Sequence, residues 1–270
     1  YISLVPIDLG AAEFSQVRPS NDEFMQLPTE NWLKNGGDFY NRNYSQLDQI
    51  NTSNVGEMIP LWRSHLGGSG MEARFSGEAQ PIVQDGIMYI ITGADDVFAL
   101  SVETGDILWN TPANLSSEIS TVCCGWTSRG VAIGEDKVFV GQLDGILKAI
   151  DKESGDTVWS IQAEDWQEGY TITSAPLYFD GLVITGFAGA EFAARGRVKA
   201  FDASDGSLVW TFYTVPGPGE YGHDSWPSDS TAWETGGGTV WHTPAVDPDL
   251  GLIYFSTGNP GPDYNGAIRA

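Results

Sequence analysis

Three tryptophans in register constrain this chain more than any other feature. Ala99-Leu-Ser-Val-Glu-Thr-Gly-Asp-Ile-Leu-Trp109, Ala149-Ile-Asp-Lys-Glu-Ser-Gly-Asp-Thr-Val-Trp159 and Ala200-Phe-Asp-Ala-Ser-Asp-Gly-Ser-Leu-Val-Trp210 share one frame. It consists of an Ala, a turn closed by Gly, and a Trp four residues past that Gly. The tryptophans stand 50 and 51 residues apart, and a fixed period of this length marks a repeat architecture. Locally the frame is a hairpin: an apolar strand end, a polar turn, then a β-rich stretch ending in a large aromatic. Gly105, Gly155 and Gly206 suit the positive φ such turns often need. Tryptophans in register would bury similar surfaces between adjacent units.

The rest of each unit repeats too. Apolar strands broken by Asp-Gly or a similar turn occur at 81–91, 130–141, 175–186 and 244–258. That makes about four short antiparallel strands per unit, the content of one propeller blade, so the expected class is an all-β propeller. The 33 glycines and 12% aromatic content suit many short strands with tight turns. A formal net charge of −23 argues against nucleic acid or an anionic membrane as partner, and suits a basic protein. No stretch of about 18 apolar residues is present, so nothing is expected to span a membrane.

Taken in order, residues 1–30 read as an irregular N-terminal arm, and 31–270 as a partial propeller domain. Residues 31–50 are aromatic and turn-rich. Asn51–Met58 reads as one short helical turn capped by Asn51 or Thr52. Residues 60–66 read as a strand whose Trp62, 47 before Trp109, ends a degenerate earlier repeat. Two inserts interrupt the period, 113–129 and 215–240, and repeat inserts gather on one face, often the binding face. Three clear blades, a degenerate start and a fourth unit stopping at Ala270 do not close a ring. The expectation is therefore the N-terminal part of a longer protein, the alternative being closure by dimerisation. Tyr1 in place of Met, with no visible signal peptide, reads as a processed chain or a piece. The two cysteines, Cys123 and Cys124, are adjacent. Their Cα atoms must lie about 3.8 Å apart, below the usual disulfide range. Buried thiols and a strained bridge are both open on spacing alone. His65, His223 and His242 show no metal-ligand spacing.

With the repeat, the Cys pair and the second insert together, the sequence resembles the quinoprotein alcohol dehydrogenases of the methanol and ethanol dehydrogenase family, from about Asn21 onward. These are eight-bladed propellers that bind pyrroloquinoline quinone (PQQ) and a metal ion, and about four blades are present here. The resemblance implies roles residue by residue. Gly77-Glu78-Ala-Gln-Pro gives Glu78 a bond to the quinone. Cys123-Cys124-Gly-Trp-Thr-Ser-Arg129 implies a vicinal disulfide against one face of PQQ and places Arg129 on a quinone oxygen or carboxylate. Thr171-Ile-Thr173 puts Thr173 on a carboxylate. Ala188-Gly189-Ala190-Glu191 offers amides of Gly189 and Ala190 to PQQ and Glu191 to the metal. Ser often stands where Ala188 does, so one hydroxyl contact is missing. Gly236-Gly-Gly-Thr-Val-Trp241 makes Trp241 the floor, and Gly258-Asn259-Pro260 makes Asn259 the second metal ligand.

The implied chemistry is coherent. A flat tricarboxylate quinone needs two flat walls, and Ca²⁺ or a lanthanide ion needs oxygen ligands. The ion then acts as a Lewis acid toward a quinone that takes hydride from a small primary alcohol. The implied partner is a c-type cytochrome, and the implied compartment is the periplasm, where a disulfide persists. A homodimer or a small subunit is left open. The family's catalytic base is an Asp of a later blade, so the isolated chain is expected to be inactive. Two other readings compete: a non-catalytic propeller scaffold of the outer-membrane assembly type, and a PQQ-dependent sugar or polyol dehydrogenase.

Overall fold

The computed structural model describes residues 18–68, 75–263 and 267. After α1 (Asn21–Met25) the chain is built from short strands: β1 (Phe75–Gly77), β2 (Ile82–Gln84), β3 (Ile87–Ile91), β4 (Val97–Ser101), β5 (Ile107–Thr111), β6 (Trp126–Ser128), β7 (Ala132–Gly134), β8 (Lys137–Gly141), β9 (Ile146–Asp151), β10 (Thr157–Gln162), β11 (Leu177–Phe179), β12 (Leu182–Gly186), β13 (Arg197–Asp202), β14 (Leu208–Tyr213), β15 (Ala245–Asp247) and β16 (Leu252–Tyr254). Strands β2–β5, β7–β10 and β11–β14 form three four-stranded antiparallel meanders, the expected blades. The β15–β16 hairpin begins a fourth, and β1 pairs in parallel with β6.

Each blade opens on the same turn. Asp85-Gly86, Glu135-Asp136 and Asp180-Gly181 all have φ between 47° and 80° at both positions. Positive φ at both central residues is the two-residue hairpin geometry that matches strand twist. Each blade also closes on the same bulge. Ala99 pairs with Trp109, Ala149 with Trp159 and Ala200 with Trp210, and the register shifts at the neighbouring pair each time. The Ala of the repeat is thus the fully buried residue directly across from its Trp.

The repeat's Gly receives the preceding blade. The indoles of Trp62, Trp109 and Trp159 donate to the carbonyls of Val102, Lys152 and Ala203 at 2.8, 3.0 and 3.0 Å. Each ring lies over the Gly of that next turn: a Cβ on Gly105, Gly155 or Gly206 would fall 2.5, 2.8 or 2.9 Å from it. The glycines therefore answer two demands, a positive φ of 75–78° and a flat surface for a tryptophan. At the opposite blade ends, Asp95 is fully buried and accepts from the Leu143 amide at 2.6 Å.

Three expectations need correction. The arm is not wholly irregular: Ser20 and Glu23 form a reciprocal capping box on α1, and Phe24 stacks on Phe39 in the core. Its first 17 residues lie outside the described ones. The short helical turn is narrower than expected, a 3-10 turn at Val55–Glu57 whose N-cap position, Asn54, makes no side-chain cap bond; Asn51 Oδ1 does accept from the Ser53 amide at 3.0 Å ahead of it. Residues 60–66 form no ladder; Trp62 docks, but Leu61 is 79% exposed, and no described strand runs beside it. Among the described residues no helix is long and apolar enough to cross a membrane.

Candidate functional site

The β1–β2, β5–β7, β10–β11, β12–β13 and β14–β15 connections and the segment after β16 converge at one end of the blades. There Glu78, Cys123, Cys124, Arg129, Thr173, Gly189, Glu191, Trp241 and Asn259 line one cavity of about 200 Å³. They come from six separate stretches of sequence. Ala190 is the exception: it lines a neighbouring cavity, with Glu191 on the boundary between the two.

Arg129 ties the wall together. It pairs with Glu78 at 2.7 Å, and its Nη1 donates to the Thr173 carbonyl at 3.2 Å. Its guanidinium carbon lies 4.8 Å from the Trp241 ring centroid, within cation–π range. Its own carbonyl accepts from Asn35 Nδ2 at 2.7 Å and from the Gln80 amide at 3.0 Å, so the 31–43 segment braces it from behind. Glu78 and Arg129, each expected to face a cofactor, here face each other at the rim. His242 follows Trp241 with ring centroids 3.6 Å apart. Desolvation, and then the Arg129 charge, lower its pKa and favour the neutral ring.

The two cysteines are free thiols with sulphurs 2.7 Å apart, wider than the roughly 2.05 Å of a bond. The structure thus does not form the implied disulfide, which stays a proposal. Burial, then the Cys124 thiol, push Cys123 up to about 12. Both residues are exposed toward the cavity rather than buried, and their sulphurs give it a polarizable wall.

Glu191 and Asn259 both bring side-chain oxygens to the cavity lining. Glu191, on the 3-10 turn Ala190–Phe192, makes no hydrogen bond or ion pair with the described residues. Asn259 donates its Nδ2 to the Pro260 carbonyl at 3.4 Å, which leaves Oδ1 without a partner there. No group of three His, Cys, Asp or Glu side chains among the described residues could hold a metal. Two side chains alone fall short of what a hard cation such as Ca²⁺ takes, six to eight oxygens. The amides of Gly189 and Ala190 are also unpaired among described residues, and Gly189 takes φ 117° where a Cβ would strike the Gly169 carbonyl.

Thr121, Val122, Thr127, Ala188 and Phe192 complete the lining, and of these only Ala188 carried a sequence signal. Thr127 is 5% exposed and its hydroxyl has no partner. It stands two residues before Arg129, and side chains two apart share a face of an extended strand, a signal that alternation alone offered. A cavity with an aromatic floor, a soft sulphur wall, unpaired donors and two free oxygens on one side fits a flat anionic ring with a hard cation at its edge.

A family profile described as the glucose/ethanol/alcohol dehydrogenase β-propeller domain, named for PQQ, matches residues 32–270. The quinoprotein alcohol dehydrogenase PedH of Pseudomonas putida is 37% identical over 99% of this chain and 47% of its own length. Subunit 1 of the methanol dehydrogenase [cytochrome c] of Methylobacterium organophilum is 35% identical over 99% of the chain and 46% of its own. A europium-containing methanol dehydrogenase superposes with a TM-score of 0.79 at 33% identity, over 89% of this chain and 45% of that one. The chain thus spans about half the length of these relatives.

Proposed function

The chain belongs to the glucose/ethanol/alcohol dehydrogenase β-propeller family, and from that premise we propose that it holds PQQ and a metal ion for the oxidation of primary alcohols to aldehydes. The observation that carries the reading is the convergence of residues from six stretches on one cavity. Trp241 and the Cys123–Cys124 pair would be the two walls, and the pair would close to a disulfide in an oxidising compartment, the periplasm. Arg129, Glu78, Thr173 and the Gly189 amide would meet the polar edge of the ring. Glu191 and Asn259 would give oxygens to Ca²⁺ or a lanthanide ion. When bound, the quinone supplies a hydride acceptor and the ion a Lewis acid beside it.

The chain's own residues orient and exclude. The Arg129–Glu78 pair holds the guanidinium over Trp241, and Ile172 and Val240, both fully buried, anchor the chain next to Thr173 and Trp241. Among the described residues, the carboxylates lining the cavity are Glu78, engaged with Arg129, and Glu191, assigned to the ion. Neither is left to take the alcohol proton. Relatives named as a methanol dehydrogenase [cytochrome c] and as quinohemoproteins support a c-type cytochrome as electron acceptor. The net charge of −23 suits a cationic one.

The test is titration of the chain with PQQ in the presence of Ca²⁺, followed by tryptophan fluorescence. Saturable quenching is expected, with affinity at least about tenfold weaker in Trp241→Ala, a loss of about 1.4 kcal/mol. Absence of saturable quenching in the native chain would overturn the reading. Dye reduction with ethanol is expected to stay at background for the loaded chain, and steady reduction would show that a base is present after all.

A further inference from the structure

Near its end the insert at 215–240 runs through Gly236-Gly237-Gly238, and these three residues thread between the two loops that carry Glu191 and Asn259. On one side the Gly237 amide donates to the Ala194 carbonyl at 3.0 Å, and the Gly196 amide donates to the Gly237 carbonyl at 2.9 Å. On the other the Gly238 amide donates to the Asn259 carbonyl at 2.9 Å, and the Gly258 amide to the Thr239 carbonyl at 2.7 Å. Gly237 bridges Arg195 in parallel and Pro260 in antiparallel sense. The Glu191 loop and the Asn259 loop are thus joined through this thread, by one isolated bridge on each side.

At Gly236 and Gly237 the spacing admits only glycine. A Cβ on Gly236 would lie 2.5 Å from the backbone of Ala193 and Ala194, and one on Gly237 would collide with the Gly261 nitrogen. All three residues have positive φ, from 61° to 94°. The thread is also anchored from its own insert. Arg195 donates from Nε to the Val215 carbonyl at 2.7 Å, pairs with Glu220, and lays its guanidinium 3.9 Å from the Tyr213 ring centroid. Glu220 in turn accepts from the Gly217 amide at 2.6 Å.

We infer that Gly236–Gly238 is a positioning element for the metal: it sets the separation of Glu191 and Asn259, and through Thr239 it ties both to the Trp241 floor. A metal ion drawing the two oxygens together must then load the thread, and binding and thread order are linked in both directions. This gives the insert a role that its composition did not suggest, and it rests on the reading of Glu191 and Asn259 as metal ligands.

Tb³⁺ serves as the probe, in about 150 mM NaCl to suppress loose binding to the acidic surface. Its site is defined as the binding, seen by tryptophan-sensitised luminescence, that is lost in Glu191→Gln. The expected result is that Gly237→Ala weakens that binding at least tenfold. Gly251→Ala, at another positive φ of 65° but with open space at the Cβ, should leave it unchanged. Hydrogen exchange on the native chain needs no variant. The amides of Gly196, Gly237, Gly238 and Gly258 should slow at least threefold on adding Tb³⁺, and those of β2–β5 should not. Glu191-dependent binding with these four amides unmoved, or with Gly237→Ala at native affinity, would overturn the inference. If the native chain shows no Glu191-dependent binding, the ligand assignment itself fails and the inference goes with it.

Discussion

Lys34 reaches the interior with 4% of its surface exposed, and its ammonium donates to the Asn35 carbonyl at 2.9 Å and to Asn41 Oδ1. Burial lowers its pKa from 10.5 to about 7, against the attraction of Asp38. The unfolded chain keeps that proton to about pH 10.4, whereas the folded chain releases it near 7, so in this window the unfolded state binds more protons. The cost of the buried charge is present in full below pH 7 and fades as the pH rises. Native stability should therefore climb between pH 7 and 9 relative to Lys34→Met, by at most about 1.4 kcal/mol per unit. Urea midpoints at pH 7, 8 and 9 measure it, and parallel slopes for the two proteins would refute it. Nothing in the sequence around Lys34 marked it, because burial of a single charge depends on what folds over it. The cavity residues differ in this respect. Glu78, Trp241 and Asn259 are ordinary one at a time, and became legible only through the joint order of their motifs. Ala190 lines the neighbouring cavity because it opens the 3-10 turn whose next residue, Glu191, reaches both.

The hairpins were readable since each needs a special backbone that few residues supply. Asp-Gly turns and the Gly-to-Trp spacing place strands to within a residue or two, and three blades follow. The bulge beside each Trp was hidden, because an extra residue in a β-rich stretch leaves composition unchanged. Residues 60–66 carry a strand's composition without a strand's ladder, and pairing requires a neighbour that local sequence does not reveal. Helix α1 was missed for the opposite reason: five residues are too few for periodicity, although Ser20 and Glu23 spell a capping box. The docking turns give a quantitative test. Gly86 has φ 80° and open space at its Cβ, whereas Gly155 has φ 78° with the Trp109 ring 2.8 Å from its Cβ position. Gly86→Ala should cost only the left-handed backbone strain, about 1–2 kcal/mol. Gly155→Ala should cost about 2–3 kcal/mol more, by driving Trp109 off its bed and breaking its bond to the Lys152 carbonyl. Equal costs in urea unfolding would mean that the Gly serves the turn alone.

At the scale of the whole molecule, 36 acidic residues face 13 Lys and Arg. Eight of those cations are already held in ion pairs with carboxylates. Those pairs use six carboxylates, so most of the acidic surplus has no cation beside it in them, and it repels itself in the compact state more than in the expanded one. Exposed charges interact over about a Debye length, near 30 Å at 0.01 M salt and near 10 Å at 0.1 M. Raising NaCl from 10 to 300 mM should therefore stabilise the fold, although each ion pair is weakened by the same screening. Surface pairs are worth about 0–1 kcal/mol apiece, and most of these eight are partly shielded, so the repulsive sum decides the sign. The expected shift is a rise in Tm of several degrees, at about 2–4 °C per kcal/mol for a chain of this size. KCl should match NaCl at equal ionic strength, because screening is indifferent to the cation. A flat or falling Tm would place the stabilising pairs ahead of the repulsion and would weaken the case for a cationic electron acceptor, since the same unscreened field would draw that partner in.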